Sequence, residues 1–323
     1  MTDDTAPVAV APAPAAPKTT PLGFSERTAD SRTRRYRVVH STRYEYDDSV
    51  SSSYGRCYLS PRDLPGQRVL EHEITIDPEP SDRSEGVDAF GNIDTFFHVT
   101  TPHTLLEVRG RSVVEVDPLD RSITGEGAAV APWELARPVG AAGAVASQFR
   151  LDLEPAEIDD SVREYADAIF TPGKPLVDAV RELTTGIYTD FRYHSGATSV
   201  STRVATVMER REGVCQDFAR VAIACLRSKG LAARYVSGYL ATEPPPGQDR
   251  VVGAGATHAW AAVWLPGDVW LPFDPTNNKF VDERHVTVAW GRDYEDVPPL
   301  RGVIYTDSRN SSIDVSVDVA PLD

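Results

Sequence analysis

Gly213-Val-Cys215-Gln-Asp-Phe-Ala219 opens the stretch on which the fold turns. Beyond it, Phe218, Ala222, Cys225 and Leu226 recur at helical spacing, and Arg227, Lys229 and Gly230 supply a basic last turn and a stop. The spacing predicts a helix over residues 215–229 with Cys215 in its first turn. A thiol attacks acyl carbon only as thiolate, and a free pKa of about 8.5 leaves little thiolate at neutral pH. The unpaired N–H groups and positive dipole end of a helix start favour that anion, and a neighbouring imidazolium adds to the effect.

Downstream, Thr257-His258-Ala-Trp260 begins a run in which His258, Trp260, Ala262 and Trp264 share one face. Val269 to Phe273 forms a second apolar run after Pro266-Gly267-Asp268, so the two read as an antiparallel pair. A three-residue loop with Gly267 at positive φ sets Leu265 opposite Val269 and Trp260 opposite Asp274, making Asp274 the diagonal, same-face neighbour of His258. A two-residue loop instead sets Asp274 opposite Ala261, on the wrong face. With the first register, the expected roles are Cys215 as nucleophile, His258 as base and then acid, and Asp274 as orienter of the imidazole. The Cys215 backbone N–H is a natural oxyanion donor, with Gln216 or Tyr193 as candidates for the second. Trp260 is a candidate for the floor of a substrate cleft, although Trp260, Trp264 and Trp270 read more simply as packing in a strand pair.

Taken alone, Cys215 reads as a small hydrophobe; the company of His258 and Asp274 turns it toward catalysis. Cys225 lies on the apolar stripe and reads as packing, while Cys57 has no supporting constellation. His40, His72, His98, His103, His194 and His285 are rival imidazoles, and none stands in a pattern that sets it beside both a thiol and a carboxylate. His194 reads as an exposed loop residue near the cleft. Asp293, Glu295 and Asp296 lack the spacing of a calcium loop and read as exposed turn charges, so no metal and no cofactor is expected.

The segments Phe191-Arg-Tyr193-His-Ser-Gly196-Ala-Thr198, Arg211-Glu-Gly213-Val-Cys215-Gln-Asp-Phe-Ala219 and Ala233-Arg-Tyr-Val-Ser-Gly-Tyr239 resemble the core of bacterial transglutaminase-like proteins. Ala256-Thr-His258-Ala-Trp260, Phe273-Asp-Pro-Thr-Asn277 and Gly291-Arg-Asp-Tyr-Glu-Asp-Val-Pro-Pro299 extend the resemblance. Tyr36-Arg-Val-Val-His40, Leu59-Ser-Pro-Arg62, Asp88-Ala-Phe-Gly-Asn92 and Pro102-His103 are similar to the β-rich domain that precedes the core in one bacterial branch. The resemblance implies a papain-like α/β core, with a Cys-His-Asp triad on Cys215, His258 and Asp274. It implies a thioester intermediate but not its acceptor, since the family includes crosslinking enzymes, peptidases and members without catalysis. Arg203-Val-Ala-Thr-Val-Met replaces the family's usual Pro and acidic residues after the Gly196 stretch, which points to a shifted substrate groove and touches no triad position. Arylamine acetyltransferases use the same triad order, but the β-domain resemblance points away from them.

The expected class is therefore α+β: an N-terminal antiparallel β domain, then a core in which the catalytic helix packs on an antiparallel sheet. Residues 1–31 read as a disordered Pro/Ala-rich tail, 32–116 as the β-rich domain and 117–150, rich in Gly, Ala and Pro, as a linker. Residues 151–300 read as the core, with helical patterns near 160–170 and 175–188, and 301–323 as C-terminal strands and tail. Within the β-rich part, Tyr36–Val39, Thr42–Tyr46 and His72–Ile76 read as separate short strands. A net charge of −15, distributed rather than blocked, disfavours nucleic acid and anionic membrane surfaces and leaves a protein or peptide as the expected partner. Three cysteines in no disulfide or metal pattern, and an acidic start followed by a proline-interrupted Ala/Val run, make the cytoplasm the expected compartment. Oligomeric state is not legible.

Overall fold

The computed structural model describes residues 32–153, 156–242 and 257–322; the tail expected at 1–31 lies outside them. Its α+β architecture is organised at the N-terminal end by β1 (Arg34–Cys57), a strand of 24 residues. The two runs expected on either side of Ser41 are thus one strand. No turn forms because Tyr36, Val38, His40 and Thr42 stay buried in alternation, and the Ser41 hydroxyl is satisfied in place by donating to Glu107 Oε1 at 2.7 Å. Register shifts between Glu45 and Val50 and between Val50 and Ser52 mark a β-bulge or irregularity about midway along β1. The sheet runs β2 (Gln67–Asp77), β5 (His103–Val116), β1, β4 (Ile93–Val99), β3 (Asp82–Val87).

Residues 117–150 are not a loose crossing. They form α1 (Ser122–Gly125) and four short 3₁₀ turns, and they bury Trp133, Ala136, Ala146 and Phe149. The Trp133 indole N–H donates to the Thr171 carbonyl at 2.9 Å, fixing the segment to the helical layer. That layer holds α2 (Asp160–Ile169), α3 (Leu176–Asp190), the parallel pair β6 (Arg192–Tyr193) and β7 (Glu212–Gly213), and α4 (Val204–Arg210). α5 (Cys215–Ser228) follows and ends before Gly230, whose φ of 75° needs no Cβ. The expected stripe understates its burial: Ala219, Val221, Ala222, Ile223, Ala224 and Cys225 are all inside. A helix buried on nearly every side is a central one. Its alanines allow close approach to α2 and α4 on one side and to the second sheet on the other.

The second sheet runs in the order β11 (Lys279–Phe280), β10 (Val269–Asp274), β9 (Thr257–Leu265), β8 (Ala233–Leu240), β12 (His285–Gly291). Gly238 is required in β8, since a Cβ there would lie 2.5 Å from Trp260 Cη2. The two sheets are joined by side-chain amides. Gln67 donates to the Thr287 carbonyl (2.7 Å) and accepts from the Thr287 N–H (2.8 Å), while Asn92 does the same with Trp290 at 2.8 and 2.9 Å. Both therefore act as surrogate strand residues along the open edge of β12. Finally, β13 (Leu300–Thr306) pairs with Val50–Cys57 and β14 (Ser311–Leu322) with Arg35–Tyr46, so the C-terminal strands complete the N-terminal sheet.

Candidate active site

Cys215 is the first residue of α5 and is partly buried. The start of that helix is held by Asp217 at its third position, whose Oδ2 accepts the Val214 N–H (2.8 Å) and the Thr198 hydroxyl (2.6 Å). Burial pushes the Asp217 carboxyl above its ordinary range. Two further bonds fasten the loop before α4 to the same helix: Gln216 Nε2 donates to the Val200 carbonyl (3.2 Å) and Arg220 Nη1 to that of Thr202 (2.5 Å). One wall beside the thiol is thereby fixed.

The opposite wall is the β9–β10 hairpin, which has the register expected from the three-residue loop: Val269 faces Leu265, Leu271 faces Val263 and Phe273 faces Ala261. Gly267 and Asp268 both take positive φ, 95° and 61°. The next step of that register sets Asp274 beside Trp260, and His258 Nε2 lies 2.7 Å from Asp274 Oδ2. The Cys215 side chain is the other group that acts on His258. Since Asp274 occupies Nε2, Nδ1 is the nitrogen left for the thiol.

Asp274 is fully buried and collects five donors. Its Oδ1 accepts the backbone N–H groups of Thr276 (2.9 Å) and Asn277 (3.2 Å). Its Oδ2 takes His258, the Asn277 side-chain amide (2.7 Å) and His285 Nε2 (3.1 Å). Burial alone would raise the Asp274 pKa; the two imidazoles reverse this and drive it far below the carboxylate range. Burial alone would likewise lower His258, but the Asp274 charge and hydrogen bond, with Cys215, lift it to about 10.

His285 and Asn277 are the residues that sequence reasoning missed. His285 Nε2 lies on Asp274, while its Nδ1 meets Asp282 twice, 3.0 Å from Oδ1 and 3.2 Å from the backbone N–H that donates to it; the contacts with both carboxylates outweigh burial and raise its pKa. Asp282 is in turn paired with Lys279 (2.6 Å) and Arg284 (2.8 Å). Asn277 closes the Asp-Pro-Thr-Asn turn that carries Asp274, and that turn was the available signal for it. For His285 no local signal existed, because it reaches Asp274 from β12. Atoms of His258, Asp274 and His285 lie within 4.8 Å of one another, a grouping of metal-ligand type. Tetrahedral ligands at 2.0–2.1 Å from a metal would be about 3.3 Å apart. The 2.7 Å contact is closer than that, so the three groups fit a hydrogen-bonded relay instead.

The remaining candidates divide. Tyr193 stands beside Cys215 and Asp217, half-buried, with burial and then Cys215 raising its pKa so that it stays a neutral donor. Trp260 is 1% exposed, stacked edge-on against His285 at 5.3 Å, and so backs the relay rather than flooring a cleft. Trp264 is buried and Trp270 partly so. Cys225 and Cys57 are fully buried. His194 is half-exposed, 3.4 Å from Glu212. Asp293 and Asp296 are not the exposed turn charges expected: Asp293 pairs with Arg220 (2.9 Å) and caps Tyr294, and Asp296 pairs with Arg292 (2.8 Å).

The cluster yields a pH prediction. Asp274 has a folded pKa below its ordinary 3.8, so its contribution to stability is present above that value and is lost as pH falls. His258 and His285 have folded values above 6.5; their contribution is complete below 6.5 and is lost as pH rises, for His258 through about 10. The difference in Tm between wild type and Asp274→Asn is accordingly expected to peak between pH 3.8 and 6.5 and to shrink on both sides. A difference that grows from pH 7 to 10 in differential scanning fluorimetry would contradict this assignment of charges.

Residues 36–115 match the family model described as the bacterial transglutaminase-like N-terminal region, and residues 163–275 match that of the transglutaminase-like superfamily. An uncharacterised Mycobacterium tuberculosis protein is 57% identical over 297 residues, covering 91% of this chain and 95% of its own. A Pseudomonas aeruginosa protein-glutamine gamma-glutamyltransferase is 37% identical over 71 residues, covering 22% of this chain and 11% of that one. Among solved structures, a putative cysteine protease from Cytophaga hutchinsonii superposes with a TM-score of 0.69 at 20% identity, over 91% of this chain and 92% of that one.

Proposed function

The chain belongs to the bacterial transglutaminase-like family, and from that premise we propose that it transfers acyl groups from protein or peptide amides through a thioester on Cys215. The observation that carries this reading is the buried His258–Asp274 pair at 2.7 Å, with Cys215, first residue of a buried helix, acting on the same imidazole. The Cys215 proton passes to His258, giving a thiolate–imidazolium pair favoured by the raised imidazole pKa and the helix start. The thiolate attacks the amide carbon, and the oxyanion is met by the Cys215 N–H and the Tyr193 hydroxyl. His258 then protonates the departing ammonia or amine, leaving the thioester. An incoming amine gives up its proton to His258, attacks the thioester and releases Cys215; water in its place gives hydrolysis. The compartment we propose is the cytoplasm, supported by three cysteines that are all free thiols.

The test is alkylation by iodoacetamide across pH, located by mass spectrometry, followed by incorporation of a labelled amine into a glutamine-rich protein. Selective modification of Cys215 well below pH 8, abolished in His258→Ala, together with amine incorporation, is the expected result. New peptide termini without incorporation would assign the site to hydrolysis. A Cys215 no faster than an ordinary thiol would make the fold a binding module.

A further inference from the structure

The face of the second sheet that carries Trp260 and Ala262 also holds buried donors without acceptors. Arg234 on β8 lies opposite Ala262, and its guanidinium carbon sits 3.7 Å from the Trp290 ring centroid and 4.3 Å from that of Trp270. Arg62, from the N-terminal part of the chain, lies over Trp290 as well, at 3.6 Å. Both arginines are only partly buried. Arg62 has its own acceptors, the Phe90 carbonyl (3.3 Å) and Asn92 Oδ1 (2.5 Å), through Nη1. Arg234 has no hydrogen-bonded or ion-paired partner among the described residues, and its Nε is buried and unsatisfied, as are Arg62 Nε and the indole N–H of Trp264. Trp264 faces Trp270 across the hairpin. Burial, and then the Arg62 charge, disfavour a cation at Arg234. A guanidinium nevertheless does not release its proton in a protein. Asp268 is a carboxylate whose charge favours the cation there, but it is not hydrogen-bonded to Arg234.

We propose that this stack binds a ligand through a single carboxylate, anchored on the outer edge of the Arg234 guanidinium between Trp270 and Trp290. A guanidinium presents paired donors in one plane, matched to a carboxylate. With the Trp270 and Trp290 rings packed against the guanidinium, its edge is what remains for an acceptor, and a carboxylate pairs with that edge in one plane. The net charge of −15 repels polyanions, which favours one carboxylate over an acidic run. The site goes beyond the proposed acyl chemistry and does not depend on Cys215. Its carboxylate could belong to a peptide C-terminus or to a small organic acid.

The five tryptophan indole N–H signals of the full chain report binding by NMR, assigned by single Trp→Phe variants. Acetyl-Ala-Ala with a free carboxylate, its C-terminal amide, propionate and inorganic phosphate are titrated in turn. The expected result is a saturable shift of the Trp270 and Trp290 signals with acetyl-Ala-Ala and none with the amide. Affinity falls at least tenfold in Arg234→Lys, which keeps the charge but not the fork, and vanishes in Arg234→Met. Propionate binding as tightly as the peptide would support the carboxylate site and assign it to a small acid. Phosphate binding more tightly than either carboxylate, equal binding in Arg234→Lys, or no shift with any probe would overturn the proposal. Arg234→Lys carries the test if Arg234→Met does not fold.

Discussion

Asp274→Asn is expected to lower turnover about 10³- to 10⁴-fold with the fold retained. The size of the effect follows from the hydrogen bonds around the carboxylate. Oδ1 is held by the N–H groups of Thr276 and Asn277, so an asparagine must keep its oxygen there. Its NH₂ then faces His258 Nε2, His285 Nε2 and the Asn277 amide, all of which donate to Asp274 Oδ2 in the wild type. His258 can relieve the clash only by presenting a lone pair at Nε2, which moves its proton to Nδ1, the nitrogen facing the thiol. In that tautomer it cannot accept the Cys215 proton, and the charge that lifted its pKa to about 10 is gone. The measurement is kcat with a labelled amine, alongside the pH profile of alkylation. Turnover within tenfold of wild type would remove Asp274 from the mechanism.

His285→Gln is the second large effect, and it divides between stability and rate. The imidazole is buried between Asp274 and Asp282, and breaking a buried pair by removing one partner costs about 3–5 kcal/mol. Glutamine keeps one N–H donor arm but not the fixed span that satisfies both carboxylates together, so it is expected to recover part of that loss relative to His285→Ala. Because His285 touches no reacting atom in the proposed chemistry, it is a positioning residue. Its loss loosens Asp274 and through it His258, so kcat falls while KM stays within about twofold, and the pH at which Cys215 becomes reactive moves upward. Denaturant unfolding of both variants reads the stability, and steady-state kinetics reads the split. A fall in Tm with unchanged kcat and an unchanged alkylation profile would make His285 structural only.

The legibility of this chain follows the range of its interactions. The helix at Cys215 was readable because period and stop signals are local, and its bounds came out within a residue at the C-terminal end. The β9–β10 register was readable because a three-residue loop fixes which residues face each other, so a choice made at Gly267 decides the face on which Asp274 appears, seven residues on. The continuity of β1 through Ser41 was not readable, since a serine that looks like a turn is held extended by Glu107, a residue from another strand. Asp293 failed for the same reason: its partner Arg220 is 73 residues away.

By itself, the sequence determined the α+β class, the helix that begins at Cys215, the hairpin and the pairing of His258 with Asp274, because each depends on periodicity or on a loop of a few residues. Only the tertiary structure decided that His285 joins Asp274, that the last strands complete the first sheet, and that Arg62 and Arg234 meet on Trp290. Those juxtapositions bring together strands from distant parts of the chain, and spacing along a sequence carries no information about which edges of a sheet will meet.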